Sequence, residues 1–287
     1  RLGGKVMKLG QFDLRAIDAG RFRLDGGAMF GVVPKVLWSK TNPADESNRI
    51  SMAMRALYVE GDGRRLVVDS GSGTGFGEKM TRIYQIETRG LRAALEGADV
   101  DPDTITDAVA THLHFDHAGG FCYRAAGGEI RISLPRANHH IQRRQWETAL
   151  NPTEKDRASF FPEYLVPIEK AGLLRLADGV VEIFPGVTLI PTDGHTFGHQ
   201  VVLVETAEGS LLYCGDLIPL ASHVNLPYIM AYDHFPLRTL EEKRQMLGRA
   251  ADEGWILFFE HDPEIAAARV ARTDSDGFRI TDVVEIG

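Results

Sequence analysis

The sequence predicts an α+β protein in which two β-sheets are packed together and covered by helices on their outer faces. Short apolar runs bounded by Gly, Asp or Pro, which are typical of strands, recur along most of the chain. Helical periodicity is confined to three segments, and several strand-like runs precede the first of them. Strands and helices then alternate, a pattern that favours two sheets with outer helices over a doubly wound parallel sheet.

The elements follow from these periodicities. Strands are predicted near residues 12–18, 52–59, 65–69, 107–111, 130–134, 180–184, 187–191, 200–205, 211–214, 255–260 and 278–284. Helices are predicted near residues 88–97, 137–149 and 239–252. The last helix opens with Thr239 and Glu242 at capping-box spacing. The aromatic-rich segment 135–172 is expected either to cover a pocket or to form an ordinary helical layer. All elements are assigned to a single domain, residues 1–287.

Composition excludes several classes of protein. Of the 287 residues, 44% are hydrophobic and 25% are charged, as expected for a globular chain with a sizeable core. The formal net charge is −8 without blocks of one sign, so nucleic acid is not an expected partner. Two cysteines, Cys122 and Cys214, are too few for a disulfide framework, and no apolar run has the length of a membrane span. We expect a cytoplasmic protein without a membrane partner, with residues 1–6 preceding a native start at Met7.

The most specific feature of the sequence is the run 111–117, THLHFDH, which directly follows a strand-like stretch. It places four potential metal ligands within six residues. In extended backbone, side chains two residues apart point to the same side, so His112 and His114 can converge on one ion. The turn that follows redirects Asp116 and His117 toward a second ion. The run therefore predicts a site for two metal ions.

Four local ligands do not complete a site for two metals, so further ligands must come from distant parts of the chain. His195, Asp216 and His261 each follow an apolar strand-like run and are the candidates. Imidazole and carboxylate donors suit zinc, with iron, manganese and cobalt as alternatives. Asp69 lies at a fourth strand-to-loop junction, where it is better suited to orient a ligand histidine through the other ring nitrogen. His199 is expected to orient a neighbour or to pack near the site.

The order of these residues resembles the five motifs of the metallo-β-lactamase superfamily. That resemblance implies an αββα sandwich, two mixed β-sheets flanked by helices, with two metal ions at one edge. It also implies a division of the ligands between the ions. The first ion would be bound by His112, His114 and His195, the second by Asp116, His117 and His261, and both by the bridging Asp216.

Within that superfamily, two stretches are similar to the quorum-quenching N-acyl homoserine lactonases of the YtnP type. They are residues 25–38, DGGAMFGVVPKVLW, and residues 112–120, HLHFDHAGG. The similarity implies a hydrolase that opens a lactone ring with a hydroxide shared by two metal ions, with Asp116 and Asp216 as catalytic carboxylates. A small-molecule lactone or ester is then the expected partner, and a homodimer is left open.

An apolar pocket for an acyl chain is expected beside the metal site. Phe115 lies between two predicted ligands and is the first candidate for its wall. Met29, Phe30 and Trp38 are further candidates, with ordinary core packing as the alternative.

The sequence differs from the lactonase pattern at one position. Lactonases of this kind carry a tyrosine three residues after the bridging aspartate, where it holds the substrate carbonyl, and here that residue is Pro219. His223, Tyr228 and Tyr232 follow it in the sequence and are candidates to replace the tyrosine, with loop packing as the alternative. The three other histidines are interpreted as ordinary core or surface residues: His139, His140 and His234.

Other functions fit the same residues. One is a different ester, thioester or phosphotriester hydrolase; residues 194–199, GHTFGH, resemble glyoxalase II, but the chain ends soon after His261 without room for that enzyme's glutathione-binding domain. Another is a di-iron redox protein, in which a glutamate would be expected in place of His114, together with a flavin partner domain. The last is a binding protein that has lost catalysis, which the complete set of ligands disfavours.

Overall fold

The structure is a computed structural model that describes residues 6–287, so all but the last residue of the predicted non-native stretch 1–6 lies outside the described residues. Two seven-stranded sheets pack against each other, and a separate two-stranded ribbon lies beside them. Both sheets are mixed and carry helices on their outer faces, which confirms the predicted fold class. Within residues 6–287, no helix is at once long enough and apolar enough to cross a bilayer.

Strands and helices are interleaved up to residue 177, and the rest of the chain is made of strands with one long helix. The strands are β1 (Met7–Leu9), β2 (Phe12–Asp25), β3 (Arg49–Gly61), β4 (Arg64–Val68), β5 (Asp107–Val109), β6 (Cys122–Arg124), β7 (Ile130–Ile132), β8 (Asn138–Gln142), β9 (Leu174–Ala177), β10 (Val181–Phe184), β11 (Val187–Thr192), β12 (His199–Thr206), β13 (Gly209–Tyr213), β14 (Ile256–Phe258), β15 (Ala267–Arg272) and β16 (Phe278–Val284). The helices are α1 (Gly26–Phe30), α2 (Lys35–Trp38), α3 (Glu78–Tyr84), α4 (Leu91–Gly97), α5 (Phe115–Ala118), α6 (Arg143–Leu150), α7 (Val166–Lys170) and α8 (Pro236–Glu253).

The sheet order brings the ends of several strands to one edge. The first sheet has the order β1-β2-β3-β4-β5-β8-β9, and its strands from β4 to β9 run parallel to one another. The second sheet has the order β10-β11-β12-β13-β14-β15-β16, with β13 and β14 as its parallel pair. Parallel neighbours have their carboxyl ends on the same side. The loops after β4 and β5 are therefore adjacent, as are those after β13 and β14.

The strand β3 shows how the layers form. Leu57 and Val59 lie in the core between the two sheets. Ala56 and Tyr58 point the other way, into the core beneath the helices α4, α6 and α7. Side chains alternate along a strand, so an uninterrupted apolar run buries both faces. Full burial of each large apolar side chain stabilises the fold by about 1.5–3 kcal/mol.

Two of the predicted helices need correction. The segment predicted as one helix, 137–149, is divided into β8 and α6, because residues 138–142 pair in parallel with both β5 and β9. The helix predicted from 239 begins at Pro236, and its N-cap residue, Phe235, makes no side-chain cap. The Glu242 carboxylate accepts hydrogen bonds from a neighbouring loop, so Thr239 and Glu242 do not form a capping box.

The burial of His139 in the first sheet makes the stability of the protein depend on pH. The side chain is buried in β8, where Nδ1 donates to the carbonyl of Ala137 at 3.0 Å and the ring packs edge-on against Phe121. Burial lowers the pKa of His139 from 6.5 to about 4. The unfolded chain therefore binds the proton more tightly, and the free energy of unfolding falls as the pH drops from 6.5 toward 4.

We predict that the variant His139→Phe loses this contribution. Between pH 7 and pH 4.5, the free energy of unfolding of the wild type should fall by about 2 kcal/mol more than that of the variant. Urea unfolding of both proteins at the two pH values measures the difference, in which the pH dependence of all other groups cancels. An identical pH dependence in both proteins would contradict the prediction.

Candidate metal centre

The seven side chains predicted as metal ligands lie together in the structure. They are carried by the loops that follow β5, β11, β13 and β14. None of the seven is more than 9% exposed. Residues 112–117 form the end of a loop and the short helix α5, which begins at Phe115 and redirects the second half of the motif. Loops that follow strands of both sheets therefore contribute side chains to one site.

Three imidazole nitrogens converge in a first cluster. His112 Nε2 lies 2.9 Å from His114 Nδ1, which in turn lies 3.2 Å from His195 Nε2. Asp216 completes the cluster, with Oδ2 at 3.1 Å from His195 Nε2 and 3.8 Å from His112 Nε2. Four atoms therefore surround one point.

A second cluster lies on the other side of Asp216. His117 Nε2 and His261 Nε2 face each other at 3.0 Å. Asp116 Oδ2 lies 3.9 Å from the first of these nitrogens and 3.7 Å from the second. The remaining oxygen of Asp216, Oδ1, lies 3.4 and 3.3 Å from the same two nitrogens. Asp216 therefore presents one oxygen to each cluster, as a bridging ligand requires.

The donor atoms fit divalent metal ions. Ligand nitrogens about 2.0–2.1 Å from a tetrahedral zinc ion are separated by roughly 3.3 Å, close to the spacings of the first cluster. Facing imidazole nitrogens can share only one proton, so His114 Nδ1 cannot be satisfied by both of its neighbours. Asp216 Oδ1 is buried without a hydrogen-bond partner in the described part of the chain. A cation at each cluster would satisfy these atoms.

At the first cluster, electrostatics favours the protonation states that bind metal. Burial and the neighbouring imidazoles lower the pKa of His112 and His114 well below 6.5, so both rings are neutral at pH 7. Burial opposes ionisation of Asp216, but the nearby histidines outweigh it and hold the pKa of Asp216 well below its usual value. At the second cluster burial is outweighed by the carboxylates of Glu260 and Asp216, which raise the pKa of His117 well above 6.5 and that of His261 to about 9. Neutral imidazoles and ionised carboxylates are the forms that coordinate zinc, so metal binding at the second cluster would displace protons from these two rings.

A second layer of groups fixes the orientation of the rings. Asp233 Oδ1 lies 2.9 Å from His195 Nδ1. His261 Nδ1 donates to the carbonyl of Ala53 at 2.8 Å. His117 Nδ1 faces Asp69 Oδ2 at 3.1 Å. Such contacts set the tautomer and direct the other nitrogen of each ring into the cluster.

Asp69 is itself held firmly. Its carboxylate accepts hydrogen bonds from the backbone N–H and the hydroxyl of Thr111 at 2.6 and 2.7 Å. Its backbone has a φ of +58°, a left-handed conformation that directs the carboxylate toward the motif. His199 plays a related part, since Nδ1 donates to Thr192 Oγ1 at 2.6 Å and Nε2 accepts from the backbone N–H of Asp216 at 3.1 Å.

Sequence reasoning missed two buried carboxylates in this layer. Glu260 Oε2 lies 2.8 Å from His117 Nδ1, and burial raises the pKa of Glu260 to about 8. An acidic residue next to the predicted ligand His261, at the end of an apolar strand, could have indicated this position. Asp233 carries no comparable pattern, because it is 38 residues from its partner His195 along the chain.

A cavity borders both clusters. The apolar side chains that line it, named together the apolar wall, are Leu24, Met29, Met52, Phe115 and Met230. The polar side chains outside the two clusters, named together the polar wall, are Tyr84, Lys155, Asp156, Ser159, Tyr232 and His234, three of them from the segment 135–172. The two sets are in contact, since the ring centroid of Tyr84 lies 5.4 Å from that of Phe115.

The predicted substrate residues divide into two groups. Met29, Phe115 and Tyr232 line the cavity. The others do not line it and pack together instead, where the ring of Phe30 stacks on Trp38 and His223 and meets Tyr228 edge-on. His234, interpreted from sequence as an ordinary histidine, borders the cavity.

The chain belongs to the metallo-beta-lactamase superfamily, whose family model matches residues 55–261. This confirms the resemblance inferred from the order of the motifs. An N-acyl homoserine lactonase of Bacillus thuringiensis is 27% identical over 173 residues, which are 59% of this chain and 61% of that protein. The match therefore spans less than two thirds of the lactonase. A "probable metallo-hydrolase" of Mycobacterium tuberculosis is 24% identical over 244 residues, 75% of this chain and 76% of that protein.

Solved structures share the fold over nearly the full chain. A "probable metal-dependent hydrolase" from Staphylococcus aureus superposes with a TM-score of 0.86 at 28% identity, covering 97% of this chain and all of that one. AidC, a dizinc quorum-quenching lactonase, superposes with a TM-score of 0.81 at 20% identity, covering 99% of each chain. At this identity the second likeness concerns the fold alone.

We predict that Asp233 supports one metal ion and not the other. Without its carboxylate, the ring of His195 loses its fixed orientation, so the variant Asp233→Ala should bind one of two zinc ions about 10- to 100-fold more weakly. Competition against a chromogenic chelator measures both affinities. The matched control is Asp252→Ala, which removes an exposed carboxylate paired with Arg272. Two unchanged affinities in Asp233→Ala would contradict the prediction.

Proposed function

We propose that the protein is a zinc-dependent hydrolase with two metal ions that opens the lactone ring of N-acyl homoserine lactones. The observation that carries the proposal is the bridging arrangement of Asp216 beside a cavity that is lined by both apolar and polar side chains. A lactone with an acyl chain needs both, because its ring and amide are polar and its chain is apolar.

The ligand set proposed is the one implied by the family motifs. His112, His114 and His195 would hold one ion, Asp116, His117 and His261 the other, and Asp216 both. Two bound zinc ions would supply a Lewis acid and lower the pKa of water so that it attacks an ester carbonyl near neutral pH.

The chain's own residues then bind and orient the substrate. The apolar wall, led by Met29 and Phe115, would exclude water from the acyl chain and align the lactone carbonyl with the clusters. Tyr84 and Tyr232 are the phenols in the polar wall, and their hydroxyls can donate to the substrate carbonyl. Tyr232 would replace the tyrosine for which Pro219 stands, because it lines the cavity. The buried His223 does not line the cavity, and its Nε2 donates to the carbonyl of Met29.

Asp116 and Asp216 are the carboxylates placed to handle protons. Both border the cavity, Asp116 as a member of the second cluster and Asp216 as the residue between the two clusters. Ring opening turns an ester into a carboxylic acid and an alcohol, so one proton must be taken from water and one delivered to the leaving oxygen. We assign the first transfer to Asp216, and the same proton then passes by way of Asp116 to the leaving oxygen. The carboxylic acid that forms ionises, which releases one proton to solvent.

The relatives support this choice of substrate. The lactonases of Bacillus thuringiensis act, by name, on N-acyl homoserine lactones, and AidC is a dizinc lactonase of the same fold. Zinc, the homodimer and the cytoplasmic location stay predictions.

Proton release tests the proposed function. Protein loaded with zinc should release one proton for each N-acyl homoserine lactone opened, measured with a pH indicator across several acyl-chain lengths. Removal of metal with a chelator and the variant Asp216→Ala should each abolish the release, and zinc should restore it only to the first. Turnover of thioesters or phosphotriesters with every lactone left intact would reject the proposal in favour of another hydrolase of this fold.

Met29 should set the length of acyl chain that is accepted. The variant Met29→Ala enlarges the cavity by removing side-chain atoms from its apolar wall. The ratio of kcat/KM for a long acyl chain to that for a short one should therefore rise about tenfold, as expected for a few more buried methylene groups at about 0.8 kcal/mol each. Val32→Ala, at a position that is 95% exposed, is the control and should leave the ratio unchanged. If Met29→Ala leaves the ratio of kcat/KM for long and short acyl chains unchanged, the acyl chain does not bind against Met29.

A further inference from the structure

Two consecutive charged residues of α8 contact two different loops beside the metal centre. The Glu242 carboxylate accepts hydrogen bonds from the backbone N–H groups of Asp193 and Gly194 at 2.9 and 3.0 Å. Lys243 Nζ donates to the backbone carbonyls of Asn225 and Tyr228 at 3.0 and 2.7 Å. The two contacts have opposite polarity, because one side chain binds two donors and the next binds two acceptors.

Both loops carry groups that matter for the site. Gly194 directly precedes His195, a member of the first cluster. The loop that begins at Asn225 continues to Met230 and Tyr232, which belong to the apolar and polar walls of the cavity. A displacement of either loop would therefore move a predicted ligand or a cavity wall.

The two loops are also joined to each other. The backbone N–H of His234 donates to the carbonyl of His195, and that of Phe235 donates to the carbonyl of Gly194, both at 2.9 Å. Asp233 contacts the ring of His195. With Glu242 and Lys243 beneath them, the loops and α8 form one connected unit.

The burial of Lys243 points to a role beyond packing. The side chain is fully buried, and burial lowers its pKa to about 7. A buried amine is costly unless its hydrogens are bonded. An apolar residue of similar size would fill the same volume but would leave the carbonyl of Tyr228 without this donor. Both contacts persist in either protonation state, since a neutral amine still carries two N–H groups.

We propose that Glu242 and Lys243 are positioning residues through which α8 fixes the first cluster and the substrate cavity relative to each other. Lys243 acts on the cavity walls through the loop 225–235, and Glu242 acts on His195 through Gly194. The effect on substrate binding rests on the proposed function, whereas the effect on the loops does not.

The variant Lys243→Met tests the first contact, because methionine keeps an unbranched apolar chain and removes the donors. In zinc-loaded protein, amide hydrogen exchange should accelerate at least about tenfold within residues 225–232 and stay unchanged in the sheets. KM for the best lactone should rise about tenfold, with kcat within about threefold of wild type. Arg244→Met, which removes an exposed cation from the next position of the same helix, should change neither quantity.

The variant Glu242→Gln tests the second contact and does not depend on the folding of the first variant. Exchange should accelerate about tenfold at residues 193–195, and the weaker of the two zinc affinities should fall about tenfold. Glu241→Gln, an exposed neighbour, is the control.

The outcomes separate the proposals. Exchange in Lys243→Met that matches Arg244→Met, or that rises evenly over the chain, would overturn the positioning role and leave Lys243 a residue of general stability. A wild type that opens no lactone would reject the proposed function alone, and the exchange patterns of the two variants would then decide the positioning role.

Discussion

The burial of facing imidazoles and carboxylates is the constraint on which the rest of the structure depends. Five histidines and two aspartates direct polar atoms at one another within two clusters, and none is more than 9% exposed. Ionised carboxylates in such surroundings are costly unless a cation or hydrogen bonds compensate them. Asp216 makes the constraint sharpest, because its two oxygens face different clusters. The arrangement is stable only if positive charge occupies both.

The sandwich meets this constraint by using rigid elements to place each donor. Parallel strands of each sheet end side by side, so loops from both sheets reach the same edge. Buried carboxylates outside the clusters then fix the rings, as Asp69 does for His117 and Asp233 for His195. The helix α8 supports the outer side through Glu242. The positions of the clustered side chains therefore depend on contacts made outside the two clusters.

The candidate site could be predicted from the sequence because its ligands occur in short, recognisable patterns at the ends of strand-like runs. The spacing of His112 and His114 in extended backbone, and the position of the distant candidates at strand ends, are both readable without a structure. The family and the two mixed sheets were predicted correctly from the motif order. Features that depend on pairing between distant segments were not predicted. The strand β8 was hidden in an apparent helix because its parallel neighbours are remote in sequence, and Glu242 has the spacing of a cap but binds another loop.

The proposed binding of two metal ions on either side of the Asp216 carboxylate can be observed directly by anomalous X-ray diffraction. Crystals grown with zinc, with data collected on both sides of the zinc absorption edge, should show two strong peaks about 3.5–4 Å apart. One peak should lie among the nitrogens of His112, His114 and His195 and the other between His117 and His261. A single peak, or peaks away from Asp216, would contradict the proposed binding.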